Sequence, residues 1–198
     1  MLTGILKPTE GRAFIHGFDI VKEGIPAKRQ IAYVADDPDF LLQLTGEEYV
    51  NFIADLYDVP VEVRKERIQA LTERFGMADA MGTPMKQYSH GMRQKTMVIA
   101  ALIHNPPVWI LDEPLGGLDP RAAHLLKEEM LRHCREGNTV FFSTHVLEVA
   151  EKLCTRIGGI DHGTLRAQGT LEELRSGEKG ASLEELFLEL TDDGGETT

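Results

Sequence analysis

Seven residues constrain the fold of this chain more than any others. Val108-Trp109-Ile110-Leu111-Asp112-Glu113-Pro114 sets a four-residue apolar run directly before two carboxylates and a proline. The run does not alternate with polar residues, so it reads as a strand buried on both faces. Beyond Pro106-Pro107 the pattern is short apolar runs between amphipathic helices, which is how a parallel sheet covered by helices is written. Thr139–Phe142 is predicted as a second buried strand. Between the two, Arg121–Arg135 has helical period, with Leu125, Met130 and Leu131 as core contacts and Gly137-Asn138 as its end. A helix over Val146–Leu153, strands at Ile157–Ile160 and Leu165–Ala167 around the turn Asp161-His162-Gly163, and two acidic helices at Leu171–Leu174 and Leu183–Leu190 complete this part. Asp192–Thr198 is predicted to be disordered.

Upstream the signals differ. Residues 1–11 read as the last turns of an apolar helix stopped by Lys7-Pro8 and Gly11, before a strand at Ala13–His16 that turns at Gly17. Ile31–Val34 is a further strand, and Asp36-Asp37-Pro38-Asp39 is a turn. Tyr49, Phe52, Ile53 and Leu56 share one helical face, and Val63, Ile68, Leu71 and Phe75 continue the pattern after Pro60, so residues 46–105 are predicted to be all-helical.

Composition excludes several function classes. With 198 residues, 42% hydrophobic and 27% charged, the chain has the make-up of a globular domain with one core or a core plus a subdomain. The formal charge is −11, of which residues 170–198 supply −7, so no basic face is present to release counterions from nucleic acid. Cys134 and Cys154 form no metal-ligand or disulfide pattern, which suits a reducing cytoplasm. No apolar run reaches the roughly 18 residues needed to span a bilayer, so direct membrane insertion is not expected.

Three segments carry chemistry. The carboxyl ends of strands in an open parallel sheet are where ligands sit, so Asp112 and Glu113 stand where a metal-bound phosphate would supply their counter-charge; a solvated pair capping the next helix is the other reading. Thr139–Phe142 likewise ends in Ser143-Thr144-His145, predicted at the same edge of the sheet, where His145 is either a phosphate ligand or a solvated residue at a helix start. In Tyr88-Ser89-His90-Gly91-Met92-Arg93-Gln94-Lys95, Ser89 is a candidate helix N-cap and Gly91 allows close approach to the backbone; that suits a phosphate at the helix N-terminus or a plain cap.

Taken in order, Tyr88–Lys95, Val108–Pro114, Gly117-Leu118-Asp119-Pro120 and Ser143-Thr144-His145 resemble the nucleotide-binding subunit of ATP-binding cassette (ABC) transporters. The resemblance covers practically the whole chain. Tyr33–Pro38 is similar to the Gln-loop region, and Gly169-Thr170-Leu171-Glu172-Glu173-Leu174 to the family's closing helix. The form of the signature and the ending Ser182–Leu190 look most like subunits serving exporters of the ABC-2 type. The resemblance implies an α/β fold, a P-loop NTPase-like ABC ATPase core with a mostly parallel sheet, incomplete here, and an inserted helical subdomain. On that basis the chain divides into a partial core at residues 1–45, the helical subdomain with its signature at 46–105, the sheet core at 106–175, and an acidic helix and tail at 176–198.

The resemblance also implies roles and partners. Asp112 matches the Walker B aspartate that holds Mg²⁺, usually through water, Glu113 the general base that orients water, and His145 the switch histidine at the γ-phosphate. Ser89, His90, Gly91 and Met92 match the signature that touches ATP on the opposite subunit, Asp119 the loop coupling the two sites, and Asp36 the position usually held by glutamine. His90 and Met92 stand where glycine and glutamine are commoner. The implied cofactors are ATP and Mg²⁺. The implied partners are a transmembrane permease, met by the loop around Asp37–Leu42, and a second ABC ATPase subunit as homo- or heterodimer. The chain would then sit at the inner face of the membrane.

One part of the pattern is absent from the sequence. The phosphate loop G-x-x-x-x-G-K-[S/T] occurs nowhere in the 198 residues, and no glycine is followed directly by lysine. We therefore expect an N-terminal truncation, with that loop encoded upstream, and a chain that is inactive by itself. The other reading is a regulatory subunit that lends its signature to an intact partner.

Overall fold

The computed structural model describes residues 1–36, 41–175 and 182–192. They form two compact units, which divide between Ser143 and Thr144.

The first unit begins with a small hairpin, β1 (Phe14–Ile15) and β2 (Phe18–Asp19), followed by α1 (Gly24–Arg29) and β3 (Ile31–Val34). His16 and Gly17 take φ of 48° and 87°, the left-handed pair that a two-residue hairpin turn requires. Asp19 then accepts the backbone N–H groups of Val21 and Lys22 and the Arg12 guanidinium, which together hold its carboxyl down at about 2. The helical part follows as α2 (Gly46–Leu56), α3 (Val61–Arg74) and α4 (His90–Leu102), with two short 3-10 turns between α3 and α4. Thr45 and Glu48 close a reciprocal capping box at the start of α2. After α4 come β4 (Val108–Leu111), α5 (Pro120–Arg135) and β5 (Thr139–Phe142). Asp119 caps α5 with Pro120 at its first position, and Gly137 ends it at φ 89°.

β3, β4 and β5 form one parallel sheet in that order, with Ile31 opposite Val108 and Val108 opposite Thr139. The register divides the side chains between two faces. Ile31 and Ile110 lie on one face and pack with Ile15, Ile20 and Ala27 from the hairpin and α1. Val34, Trp109 and Leu111 point to the other and are fully buried. On α5, His133 sets its ring edge-on to Trp109 at 5.8 Å and bonds the Pro106 carbonyl at 2.9 Å.

Four expectations from the sequence need correction. Residues 1–11 form turns, with one Gly4 N–H to Met1 carbonyl bond and no helix. Gly4 at φ 70° breaks the helical path, and a stretch this short does not repay helix nucleation. On α2 the buried residues are Tyr49, Val50 and Ala54, while Phe52 and Leu56 are exposed; on α3 Leu71 is buried and Val63 exposed. Leu126 and Met130 are the buried apolar residues near the middle of α5, with Leu131 exposed. β5 is an edge strand rather than a buried one: it pairs only with β4 among the described residues, and Phe141 keeps 53% of its surface exposed.

The second unit contains α6 (Leu147–Leu153), the antiparallel pair β6 (Ile157–Asp161) and β7 (Thr164–Gly169), α7 (Leu171–Leu174) and α8 (Leu183–Asp192). His162 and Gly163 turn the hairpin at φ 45° and 76°. Gly159 faces the Phe187 ring of α8, Thr170 and Glu173 form a capping box, and Arg175 pairs with Glu151. Asp37–Phe40 of the expected docking loop and residues 193–198 of the expected disordered tail lie outside the described residues.

Candidate functional site

The site grows from the carboxyl end of the sheet. The ladder continues one residue past β4, since the Asp112 N–H donates to the Val34 carbonyl at 2.9 Å and the Ser143 N–H donates to the Leu111 carbonyl at 3.0 Å. Asp112 and Ser143 are thereby neighbours across β4 and β5. The Ser143 hydroxyl donates to Oδ1 of Asp112 at 2.5 Å and accepts the Glu113 N–H at 3.2 Å. Glu113 has φ 43°, a conformation uncommon for a residue with a side chain, and its carbonyl accepts the Gly116 N–H to start the loop that leads to α5.

Tyr33 approaches Asp112 from the other neighbouring strand. It is opposite Ile110, so it shares a sheet face with Asp112 two residues further on. Burial pushes the Tyr33 phenol above its ordinary value, and the adjacent Asp112 carboxylate and the charge of Asp36 push it in the same direction. Asp36 is exposed, and its Oδ1 lies 4.0 Å from where a Cβ on Gly116 would stand. Tyr33, Asp36, Asp112, Glu113 and Ser143 are thus one polar group above the buried Ile31 and Ile110.

The Ser89–Met92 segment forms a second group. Ser89 caps α4 by accepting the Met92 N–H at 3.3 Å. Ser89 and His90 are exposed, Gly91 and Met92 half-buried. The His90 ring lies against Gly117, which has φ 69°; a Cβ there would fall 2.5 Å from His90 Cδ2. Lys95 Nζ stands 3.8 Å from Asp119, whose carboxylate also accepts the Ala122 N–H at 2.9 Å. That backbone bond holds the Asp119 carboxyl below its usual range; desolvation opposes it, and the Lys95 charge adds to the lowering. Residues 113–119 therefore run from the acidic rim to the start of α4. His145, predicted at the same rim, follows Ser143 by two residues but belongs to the second unit, where it is exposed.

Sequence reasoning placed Ser143 at a strand end and Tyr33 inside a strand, and gave neither a role. The parity of their positions relative to Asp112 was the available signal, but it becomes usable only with the register of both strand pairs.

Among the described residues no group of three or more histidines, cysteines or carboxylates could hold a metal ion by itself. Magnesium carried on a nucleotide takes one or two protein carboxylates and completes its shell with phosphate oxygens and water. Asp112, half-buried with one oxygen bonded by Ser143, is a donor of that kind. The chain offers no glycine-lysine phosphate loop beside it. No helix among the described residues is long and apolar enough to cross a membrane.

An open parallel α/β sheet with an acidic pair at its carboxyl edge, beside a serine-capped helix, puts polar groups where many nucleotide-binding proteins hold their ligands. Comparison with known proteins specifies which. A family model described as ABC transporter matches residues 1–116. The ABC transporter ATP-binding protein NatA of Bacillus subtilis is 33% identical over 189 residues, 95% of this chain and 77% of that protein. The daunorubicin/doxorubicin resistance ATP-binding protein DrrA of Streptomyces peucetius is 34% identical over 176 residues, 89% of this chain and 53% of that one. A solved structure of an ATP-binding subunit of an ABC transporter superposes with a TM-score of 0.92 at 34% identity, covering 96% of this chain and 80% of the other. The chain belongs to the ABC transporter ATP-binding family, with the α/β ABC ATPase fold. It spans about half the length of some of the curated relatives it matches, 52% in one case and 53% in another.

Proposed function

We propose that this chain couples ATP to export through a membrane permease, working at an interface with a second ATPase subunit. The single observation that carries this reading is the rim cluster, in which Asp112 and Glu113 follow each other at the carboxyl end of β4 and share the Ser143 hydroxyl. In this reading Asp112 faces the magnesium of the nucleotide, which would neutralise charge on the phosphate oxygens. Glu113, held next to it on the outward turn, orients and deprotonates water as a general base. His145 would contact the γ-phosphate, and Asp36 would touch the magnesium or water. Ser89, His90, Gly91 and Met92 present the α4 N-terminus to ATP held by the second subunit, and Asp119 links that contact to the acidic rim through the loop from Glu113. Export is proposed from the likeness to NatA and DrrA. The permease would hold the subunit at the inner face of the membrane.

The sequence also bears on what the chain does alone. The phosphate loop of this family supplies amide and lysine hydrogen bonds to phosphate, each worth about 1.5–3 kcal/mol. Without three of them the affinity for ATP falls by roughly three to six decades. Calorimetric titration of MgATP into the purified chain is expected to show no saturable binding in the micromolar range; a micromolar Kd refutes the expectation.

In a second reading the chain is a non-catalytic subunit lending Ser89, Gly91 and Asp119 to an intact partner while its own rim stays idle. Substituting Glu113→Gln in this chain separates the two. If the rim hydrolyses ATP, activity of the assembled pair falls; if only the signature is lent, it does not change.

A further inference from the structure

We infer that Ser143 is a positioning residue whose single hydroxyl orients both acidic residues of the rim; the inference rests on the reading of Asp112 as a metal-facing carboxylate and Glu113 as the base. A serine hydroxyl has one proton to donate and two lone pairs that accept. Here the proton goes to Oδ1 of Asp112 at 2.5 Å, and a lone pair receives the Glu113 N–H at 3.2 Å. One side chain therefore fixes the carboxylate of one residue and the backbone of the next.

The arrangement follows from the sheet. Leu111 is opposite Phe142, so the next pair along is Asp112 and Ser143, on one face and at adjoining positions of parallel strands. Tyr33, opposite Ile110, shares this face of the sheet on the far side of β4. Asp112 is thus flanked by hydroxyl-bearing residues on both neighbouring strands, of which Ser143 holds its carboxylate. The backbone of Glu113 has more need of support than most, because φ of 43° is a conformation that L residues rarely adopt. Its N–H cannot extend the ladder from there, and the Ser143 oxygen receives it instead.

The role is separable from strand formation. Ser143 contributes to the ladder through its N–H, which donates to the Leu111 carbonyl and would do so equally in alanine. Ser143→Ala removes the hydroxyl alone, and Ser143→Thr restores one in a residue that suits a strand end.

Two measurements on the full chain test the inference. The first is hydrogen exchange of the backbone amides without metal. In Ser143→Ala the Glu113 amide is expected to exchange about tenfold faster, while the Asp112 amide, bonded to Val34, changes by less than about twofold, and Ser143→Thr returns Glu113 to the wild-type rate. An unchanged Glu113 rate in Ser143→Ala overturns the inference. The second is paramagnetic broadening of amide resonances by millimolar Mn²⁺. Broadening centred on Asp112, Glu113 and Ser143 is expected in the wild type, lost in Asp112→Asn, several-fold weaker in Ser143→Ala and recovered in Ser143→Thr. If Asp112→Asn broadens as the wild type does, the metal reading fails. If Asp112→Asn loses the effect and Ser143→Ala keeps it in full, the metal reading stands and the positioning role is overturned.

Discussion

Arg74, at the end of α3, reaches Glu129 in the middle of α5, with Nη1 2.7 Å from Oε2, and ties the helical part of the first unit to the helix linking β4 and β5. Glu129 is almost wholly buried and also bonded by Arg132 on its own helix. Burial pushes its carboxyl upward, but the hydrogen bonds and charges of Arg132 and Arg74 outweigh it and hold the group below its ordinary value. Arg74→Met leaves Arg132 as the remaining counter-charge, so the expected loss in urea unfolding is about 1–3 kcal/mol. The contribution is complete above the unfolded carboxyl value of 4.5 and is lost as pH falls through the lower folded value. The difference between wild type and Arg74→Met should accordingly be constant near neutrality and shrink in acid.

His104 stacks on Tyr57 with ring centroids 3.6 Å apart, and burial lowers its pKa from 6.5 to about 4. The folded protein therefore favours the neutral ring. Stability is full above the unfolded value of 6.5 and falls as pH drops from there toward 4, by roughly 2–4 kcal/mol in total. Denaturation at pH 7 and pH 5 should show about 2 kcal/mol of this loss in the wild type, and His104→Phe should remove most of it.

Gly117 and His90 are in steric contact across the loop. Gly117→Ala places a methyl where the His90 ring now lies and imposes a left-handed φ on alanine, the latter costing about 1–2 kcal/mol. Adding His90→Ala should remove the clash and leave the backbone cost, so a double-mutant cycle by thermal unfolding is expected to be non-additive in the stabilising direction.

Trp109 is the one tryptophan of the sequence and is fully buried between β3 and β5. Its fluorescence should report global unfolding of the first unit, shifting to the red as water reaches the ring. Trp109→Ala is expected to cost about 3–5 kcal/mol, and Trp109→Phe much less, since it keeps a ring and removes a buried indole N–H that has no hydrogen-bond partner among the described residues.

Legibility in the sequence varied with how local the physics is. Ile31–Val34, Val108–Leu111 and Thr139–Phe142 could be read as strands to the residue, because apolar runs between turn signals need no tertiary knowledge. Ser89 at the start of α4 was equally readable, since a cap is a contact three residues long. The faces of α2 were not: Phe52 and Leu56 repeat with helical period, yet Val50 and Ala54 are the buried residues, because periodicity cannot tell which face a neighbouring helix will cover. β5 was misread as buried for a similar reason, since its apolar run does not reveal how many neighbouring strands it pairs with. At the site, the type of each acidic residue was visible and the contact between Asp112 and Ser143 was not, as it depends on a register set between distant strands.

The proposed function makes this chain one half of an ATP-dependent pair, working through the Ser89–Met92 segment and the acidic rim. ATP hydrolysis by an ABC ATPase that carries its own phosphate loop, measured with and without this chain, tests it most directly. Stimulation that Ser89→Arg abolishes is expected, because the bulky cation occupies the exposed start of α4. Unchanged hydrolysis on adding the wild-type chain, or stimulation that survives Ser89→Arg, contradicts it.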